Sequence, residues 1–509
     1  FFFGVYSFSD RIMSNEVEYK KKILESLHAT LGECVIPELG KVKKGKVRDI
    51  YFSGDNVIMV ASDRVSAFDY MIPNLIPYKG EVLNKIAKYA FENTKDIIPN
   101  ALVGHDVDPN VVVQRKLKNC GIECIVRGYL WGSMAAAYEK GDRVFCGLNV
   151  EDGLYRFHKF KEPLFTPTTK AEQGAHDENM TMDEVIALVG ESLGKQLKET
   201  AIKLYQRGAE LAAARGLMFI DTKYEFGTDD NGKLYVIDEI NTPDSSRLCD
   251  ISEWTEKVPK IEAEMKAGSY KNVMELLAKK PELKIKEYSK QYVRDLLLEQ
   301  GFKPGKAVPK LTEEQVVESA YRYISVYERV TGQKFEFSRS VLPTPQRMMA
   351  NLQRCGLARG CCAVLMADSD SDMPHLEKIQ STLNKWGVPS HVRICSAHDQ
   401  PTKLTATLQY YNQSIQPLVI VACARGTDAL SGAASCHSLF PVVSCPADGW
   451  NESCLKNPSG CSNAVILRPE NVSKFVCQAF SHVNPMYREM LLASFQEKVH
   501  KLNAADKYH

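Results

Sequence analysis

The chain has 509 residues, 44% of them hydrophobic and 25% charged, with a formal net charge of +1. This is the composition of an ordinary folded protein with room for two or three domains. The near-zero charge argues against nonspecific nucleic-acid or membrane binding, and no apolar run of about 18 residues is present to span a bilayer.

Residues 1–14 read as an extension ahead of the fold. Met13-Ser14-Asn15 looks like a natural start, and the opening apolar run lacks the charged flank of a signal peptide. The first expected element is a hairpin: Lys46 to Phe52, a Ser-Gly-Asp-Asn turn, then Val57 to Ala61. Alternation sets Lys46 and Arg48 on one face, two cations suited to covering a phosphate. The segment Arg127 to Ser133 reads as turn-rich and brings a cation, small residues and a hydroxyl together for phosphate or carboxylate capture. A loop from Thr168 to Asp177 gathers Lys170, His176 and Asp177. Thr181-Met-Asp-Glu184 is a capping box that opens one long amphipathic helix, ending at Arg215-Gly216.

The segment that follows is the most informative. Asn231-Gly232 between two strand-like runs predicts a two-residue type I′ turn. In that register Glu225 stands directly opposite Asp238, with Lys223 on the same face and Glu239 on the other. Directly opposed like charges repel, with Cβ atoms about 4.5–5.5 Å apart. A magnesium ion held by both carboxylates would remove that repulsion, since Mg²⁺ commonly uses one or two carboxylates plus substrate phosphates. The competing reading is a solvated acidic hairpin edge. Thr242 to Arg247 then brings Arg247 back toward the two carboxylates. Each of these segments taken alone also admits a structural role. Together they supply metal carboxylates, phosphate cations and a polar cradle.

A later helix carries Tyr321, Tyr323 and Tyr327 as core residues. Residues 336–359 break both periodicities and read as a linker between a domain at 15–335 and one at 360–490, with 491–509 a C-terminal helix or tail. Beyond the linker the pattern becomes a β-α-β alternation with short apolar strands: Cys362 to Met366, His391 to Cys395, Pro417 to Ala422 and Pro441 to Cys445. Parallel sheets of this kind bind ligands beyond the carboxyl ends of their strands. There lie Asp368 to Asp372, Ser396 to Asp399 and Ala424 to Asp428. Ten of the 15 cysteines follow residue 350, without C-x-x-C pairs or zinc spacing, so buried reduced thiols in a cytosolic protein are expected.

The motifs Gly45 to Asp49, Ser62 to Asp69, Arg127 to Ser133, Thr168 to Met180, Asp221 to Gly227 and Asp238 to Arg247 closely resemble phosphoribosylaminoimidazole-succinocarboxamide (SAICAR) synthetase, over about residues 15–335. The resemblance implies an α+β ATP-binding domain, with ATP and Mg²⁺ as cofactors. It further implies ligation of L-aspartate to carboxyaminoimidazole ribonucleotide (CAIR) through an acyl phosphate. On that likeness Glu225 and Asp238 hold the metal, Lys46, Arg48, Gln114 and Glu123 surround ATP, and Lys223 is catalytic. Arg127, Ser133, Lys170, His176, Asp177 and Arg247 hold the nucleotide or the aspartate.

Residues 360–490 resemble phosphoribosylaminoimidazole (AIR) carboxylase of the CO₂-using animal type, through Ser369 to Asp372, Ser396 to His398 and Asn457 to Ser462. This implies a smaller α/β domain with a parallel, Rossmann- or flavodoxin-like sheet, needing neither biotin nor metal. It also implies assembly of a homo-oligomer through that domain. Ser369, Asp372 and Ser396 would bind AIR, and His398 would shuttle the proton. The chain departs from the pattern at three places. Asp368 replaces a glycine, Asp399 stands where a cation follows Ser-Ala-His, and Arg425-Gly426 reverses a Gly-Arg pair. Two readings stay open: a working carboxylase with a rearranged phosphate site, or a degenerate domain kept as an assembly platform.

Overall fold

The computed structural model describes residues 8–68, 70–104, 106–170, 177–288, 291–337 and 342–506. The chain forms two compact units. The first takes the described parts of residues 1–32, 45–48 and 54–340, and the second those of 33–44, 49–53 and 341–509.

In the first unit β1 (Asn56–Ala61) pairs antiparallel with β2 (Val111–Arg115). A second antiparallel sheet contains β3 (Ile122–Tyr129), β4 (Lys159–Phe165), β5 (Leu217–Thr228), β6 (Leu234–Ile237) and β7 (Ser246–Asp250). Strand β5 is its hub and pairs with β3, β6 and β7. It is largely buried on both faces, so it can display charge only by changing which face its core residues use. Leu217 and Phe219 enter the main core, while Met218 and Ile220 enter a second cluster with Trp131 and Ile261. The pairing with β7 shifts register between Phe219 and Asp221. A one-residue slip reverses the facing of every following side chain. Beyond it Tyr224 and Phe226 supply the core, which leaves Asp221, Lys223 and Glu225 together on the other face. On β3 the core takes Ile122, Cys124 and Val126, so Glu123 and Arg127 join that charged face.

The β5–β6 hairpin departs from the predicted register. Thr228 pairs with Leu234, and Glu225 pairs with Ile237 rather than Asp238. The connection holds three residues between Asp229 and Lys233, whose backbone N–H and C=O meet at 3.1 Å. The Asp229 carboxylate accepts the N–H groups of Asn231 (3.0 Å) and Lys233 (2.9 Å), which stabilises this wider loop. Gly232 takes the left-handed position (φ +78°) that such loops require.

Two further expectations change. The capping box at Thr181 and Glu184 is present, but the helix it opens is broken at Gly190 (φ +87°) into Met182–Val189 and Glu191–Ala213. Arg127 to Tyr129 are strand rather than turn. Gly128 is there for packing: a Cβ would lie 1.8 Å from the Tyr205 hydroxyl, which donates to the Phe219 carbonyl at 2.8 Å.

The second unit carries a five-stranded parallel sheet of β8 (Cys362–Ala367), β9 (Ser390–Ile394), β10 (Leu418–Cys423), β11 (Val442–Ser444) and β12 (Asn463–Val465). Its order, β9-β8-β10-β11-β12, is the flavodoxin-like one. The stretch read as a linker contains the helix Thr344–Arg354, and the last helix is Pro485–Ala505. None of the 15 cysteines forms a disulfide. Among the described residues no helix is long and apolar enough to cross a membrane.

Gly128→Ala is expected to lower stability by about 1–3 kcal/mol, the usual cost of overpacking. Thermal unfolding of the full chain measures it, and an unchanged midpoint would mean Tyr205 moves aside freely.

Candidate active site

The charged face of β3 and β5 brings most of the predicted first-domain residues together in three groups. At one end Asp221 accepts from two guanidinium groups. Arg127 Nη1 lies at 3.3 Å and Arg247 Nη1 at 2.6 Å, each from the residue paired with Asp221 on its neighbouring strand. Arg127 also donates to Thr166 at 3.0 Å. Burial holds the Arg127 pKa down, whereas Asp221 lifts that of Arg247. Arg247 Nε also has the Glu287 carboxylate at 3.8 Å, so the two guanidiniums face two carboxylates, and bidentate Arg is the usual phosphate binder. Gly132 (φ +58°) leaves room for them, because a Cβ there would be 3.0 Å from Arg247. Ser133 follows, exposed on the helix Gly132–Glu139.

In the middle Lys223 Nζ donates to Glu123 at 2.5 Å and to Glu225 at 3.3 Å. Lys170 pairs with the other Glu225 oxygen. Burial opposes charge on Lys223, but Glu225 and Glu123 outweigh it and raise its pKa. Burial likewise opposes charge on Glu225, and Lys223 and Lys170 reverse that to hold its carboxyl below the ordinary value.

At the other end Asp238 follows β6 in the left-handed region, φ +61°. This breaks the alternation that the one-residue register offset would otherwise impose. Arg48 Nη1 meets Asp238 at 3.3 Å, and its Nη2 meets Glu239 at 2.6 Å. Glu239 therefore shares a cation with Asp238 instead of turning to the opposite face. Burial pushes Asp238 up to about 6, opposed by Arg48 and reinforced by the charges of Glu225 and Glu239. The charge of Glu225 thus acts on Asp238, although not through the predicted opposition.

Three predicted ATP contacts look different in three dimensions. Gln114 is buried, and both polar atoms of its amide engage the backbone of Asp238. Glu123 is held by Lys223. Lys46 is exposed, two residues before Arg48. Asp177 is also exposed, and its charge helps burial to raise the Glu123 carboxyl. His176 lies outside the described residues. Sequence reasoning quoted Asp221 without giving it a role. Its position opposite Arg127 is set by pairing across 94 residues. It also missed Asn119, which donates to Glu225 at 3.4 Å.

In the second unit the predicted residues lie on loops beyond the carboxyl ends of the strands. Ser369 caps the following turn and accepts from Ser371 N–H at 3.2 Å. Asp372 is buried and paired with Arg425 Nε at 2.8 Å. Ser396 is buried and accepts from Asp399 N–H at 3.2 Å, while His398 is exposed. The Asp368 carboxylate accepts from Ala397 N–H at 2.8 Å. Asp448, which the sequence did not single out, accepts from Gly426 N–H at 2.8 Å.

Family models match the chain twice: SAICAR synthetase over residues 41–266 and AIR carboxylase over 362–501. Fold and matches together define a two-domain enzyme of purine biosynthesis, a ligase domain followed by a carboxylase-type domain. Phosphoribosylaminoimidazole-succinocarboxamide synthase of Bacteroides fragilis is 42% identical over 304 residues, covering 59% of this chain and 90% of that protein. The Cytophaga hutchinsonii synthase is 40% identical over 313 residues, with 61% and 93% covered. The solved SAICAR synthase from Saccharomyces cerevisiae, complexed with SAICAR, is 29% identical with a TM-score of 0.50, over 60% of this chain and all of that one. The chain belongs to the SAICAR synthetase family, and in it the synthetase is fused to an AIR carboxylase domain.

Asp221→Asn removes the carboxylate shared by two largely buried guanidiniums, leaving Arg247 only Glu287 at 3.8 Å. It should cost about 3–5 kcal/mol, as breaking a buried pair does, with part of the loss restored by millimolar inorganic phosphate. Denaturant unfolding with and without phosphate tests this; a small loss that phosphate does not change would mean that the two arginines do not hold an anion.

Proposed function

We propose that the first unit joins L-aspartate to CAIR at the expense of ATP, through an acyl phosphate, to give SAICAR. The observation that carries the reading is the single charged face on which an arginine pair, a lysine pair and two neighbouring carboxylates follow one another. Arg127 and Arg247 suit the nucleotide phosphate, with exposed Ser133 beside them. Lys170 and Lys223 suit the carboxylate being activated and the phosphoryl group approaching it, and both can exchange Glu225 for a ligand oxygen.

The donor set fits Mg²⁺. Among the described residues no group of three or more His, Cys, Asp or Glu side chains is placed to hold a metal. Glu225 and Asp238 offer two carboxylates, as many as Mg²⁺ uses when phosphates complete its shell. Burial raises Asp238 first and the charge of Glu225 adds to it, and a cation between the two would relieve that second part. When bound, the ion would neutralise charge on the ATP phosphates. Arg48 would then keep Glu239 and remain beside those phosphates, and the protein's main contribution is orientation and fixed positive charge.

The AIR carboxylase domain supports the second of the two readings above, because its loops are filled by their own carboxylates. Asp368 occupies the Ala397 N–H and Asp448 the Gly426 N–H. The displaced arginine, Arg425, has its Nε 2.8 Å from an Asp372 oxygen and donates to the Ser371 carbonyl, so much of its charge is already faced by protein oxygens. An incoming dianion would meet these negative charges first, each costing on the order of 1–4 kcal/mol at 4 Å. The domain's role is then assembly of copies of the chain, for which Leu492, Phe495 and Leu502 lie exposed along the last helix.

Asp238→Asn keeps a residue that tolerates the left-handed backbone but removes a metal oxygen. It should cut kcat for SAICAR formation about 100- to 1,000-fold. Glu239→Gln, which only loosens Arg48, should cost roughly tenfold. Equal losses in a steady-state assay would give both carboxylates one role. In the second unit, full-length Asp368→Gly/Asp399→Lys should bind AIR at least about tenfold more tightly than the parent. Tight AIR binding and carboxylation by the parent in calorimetry and turnover assays would restore the carboxylase reading.

A further inference from the structure

Asp238 is a non-glycine residue in the left-handed region at the end of a strand. Such residues persist only where their surroundings over-determine them. Two contacts do so here. The Gln114 side-chain amide lies against the Asp238 peptide, with Nε2 donating to its carbonyl at 2.8 Å and Oε1 accepting from its N–H at 3.0 Å. In effect the side chain continues the ladder for one residue after β6 ends. Gln114 is 3% exposed. It projects from β2, whose pairing with β1 puts it opposite Val57. The sheet therefore fixes where its amide lies, and that amide fixes Asp238.

The consequence reaches the metal carboxylate. In the observed register Ile237, not Asp238, is opposite Glu225. An extended residue at 238 would point its carboxylate to the far side of the hairpin. The left-handed turn brings it to Arg48, whose Nη1 lies 3.3 Å from its carboxylate, on the charged face that carries Glu225. We propose that Gln114 is a positioning residue that holds Asp238 in this conformation and so presents its carboxylate to the cation, rather than a residue that reads the adenine. This rests on the reading of Glu225 and Asp238 as the Mg²⁺ site.

The test uses full-length Gln114→Met, which keeps the volume and removes both hydrogen bonds, with Gln114→Ala as a second variant. Binding of a non-hydrolysable ATP analogue is measured by calorimetry in Mg²⁺ and in EDTA, and amide hydrogen exchange is followed in the peptide spanning 233–242. The expected result is analogue affinity in EDTA within about twofold of the parent, with the tightening produced by Mg²⁺ reduced at least about tenfold. Exchange at Asp238 should quicken while the Leu234–Ile237 amides stay protected. Equal loss of affinity with and without Mg²⁺ would make Gln114 a direct nucleotide contact and overturn the proposal. So would unchanged exchange at Asp238 in a folded variant. If the parent itself shows no tightening by Mg²⁺, the metal reading of the site fails. The exchange data then decide separately whether Gln114 holds the backbone.

Discussion

Charges of both signs on one face of a largely buried strand must neutralise one another or be neutralised by something that binds. Everything in the first unit follows from that constraint on β5. Asp221, Lys223 and Glu225 cannot be solvated like surface residues, since Asp221 and Glu225 are almost wholly enclosed. Each has therefore drawn in partners from other strands and loops: Arg127 and Arg247, Glu123, Lys170. The resulting pairs gain little net stability, because desolvation offsets most of their attraction. What the pairs do provide is cations that could exchange a carboxylate partner for an oxygen of an incoming anion, as Lys223 could exchange Glu123.

Backbone irregularity creates this face. The register shift between Phe219 and Asp221 moves the core from odd to even residues within one strand, and so frees three odd positions for charge. The left-handed turn at Asp238 performs the complementary correction on the other arm, where the wider loop has moved the pairing by one residue. Bulges next to active sites re-aim side chains in this way, and strained backbone persists where the surroundings hold it. Gln114 supplies that hold from another sheet.

The second unit shows the opposite balance. Its sheet is a regular parallel stack whose central strands β8 and β10 are wholly apolar, as strands covered on both faces must be. Its loops lie at the carboxyl ends where such sheets bind ligands. Among them the Ala397 N–H donates to Asp368 and the Gly426 N–H to Asp448, while Arg425 lies against Asp372. A fold can keep the geography of a site while the charges around it differ. Function is set by those few residues and not by the architecture.

Much was legible in order along the chain. Apolar periodicity and turn signals located the alternation after residue 360, the capping box at Thr181 and the charged residues of β5, because each depends on near neighbours. The grouping of residues 33–44 and 49–53 with the second unit, the break at Gly190 and the packing role of Gly128 were not legible, because each depends on chain far away in sequence. The same division runs through the site. The sequence by itself determined which charged side chains β3 and β5 carry and grouped Glu225 with Asp238. Only the tertiary structure decided how they meet, because strand register turns on a single residue of loop length. That residue was added by the Asp229 carboxylate capturing two backbone N–H groups, and its effect on Asp238 was undone by Gln114 from a strand more than a hundred residues away.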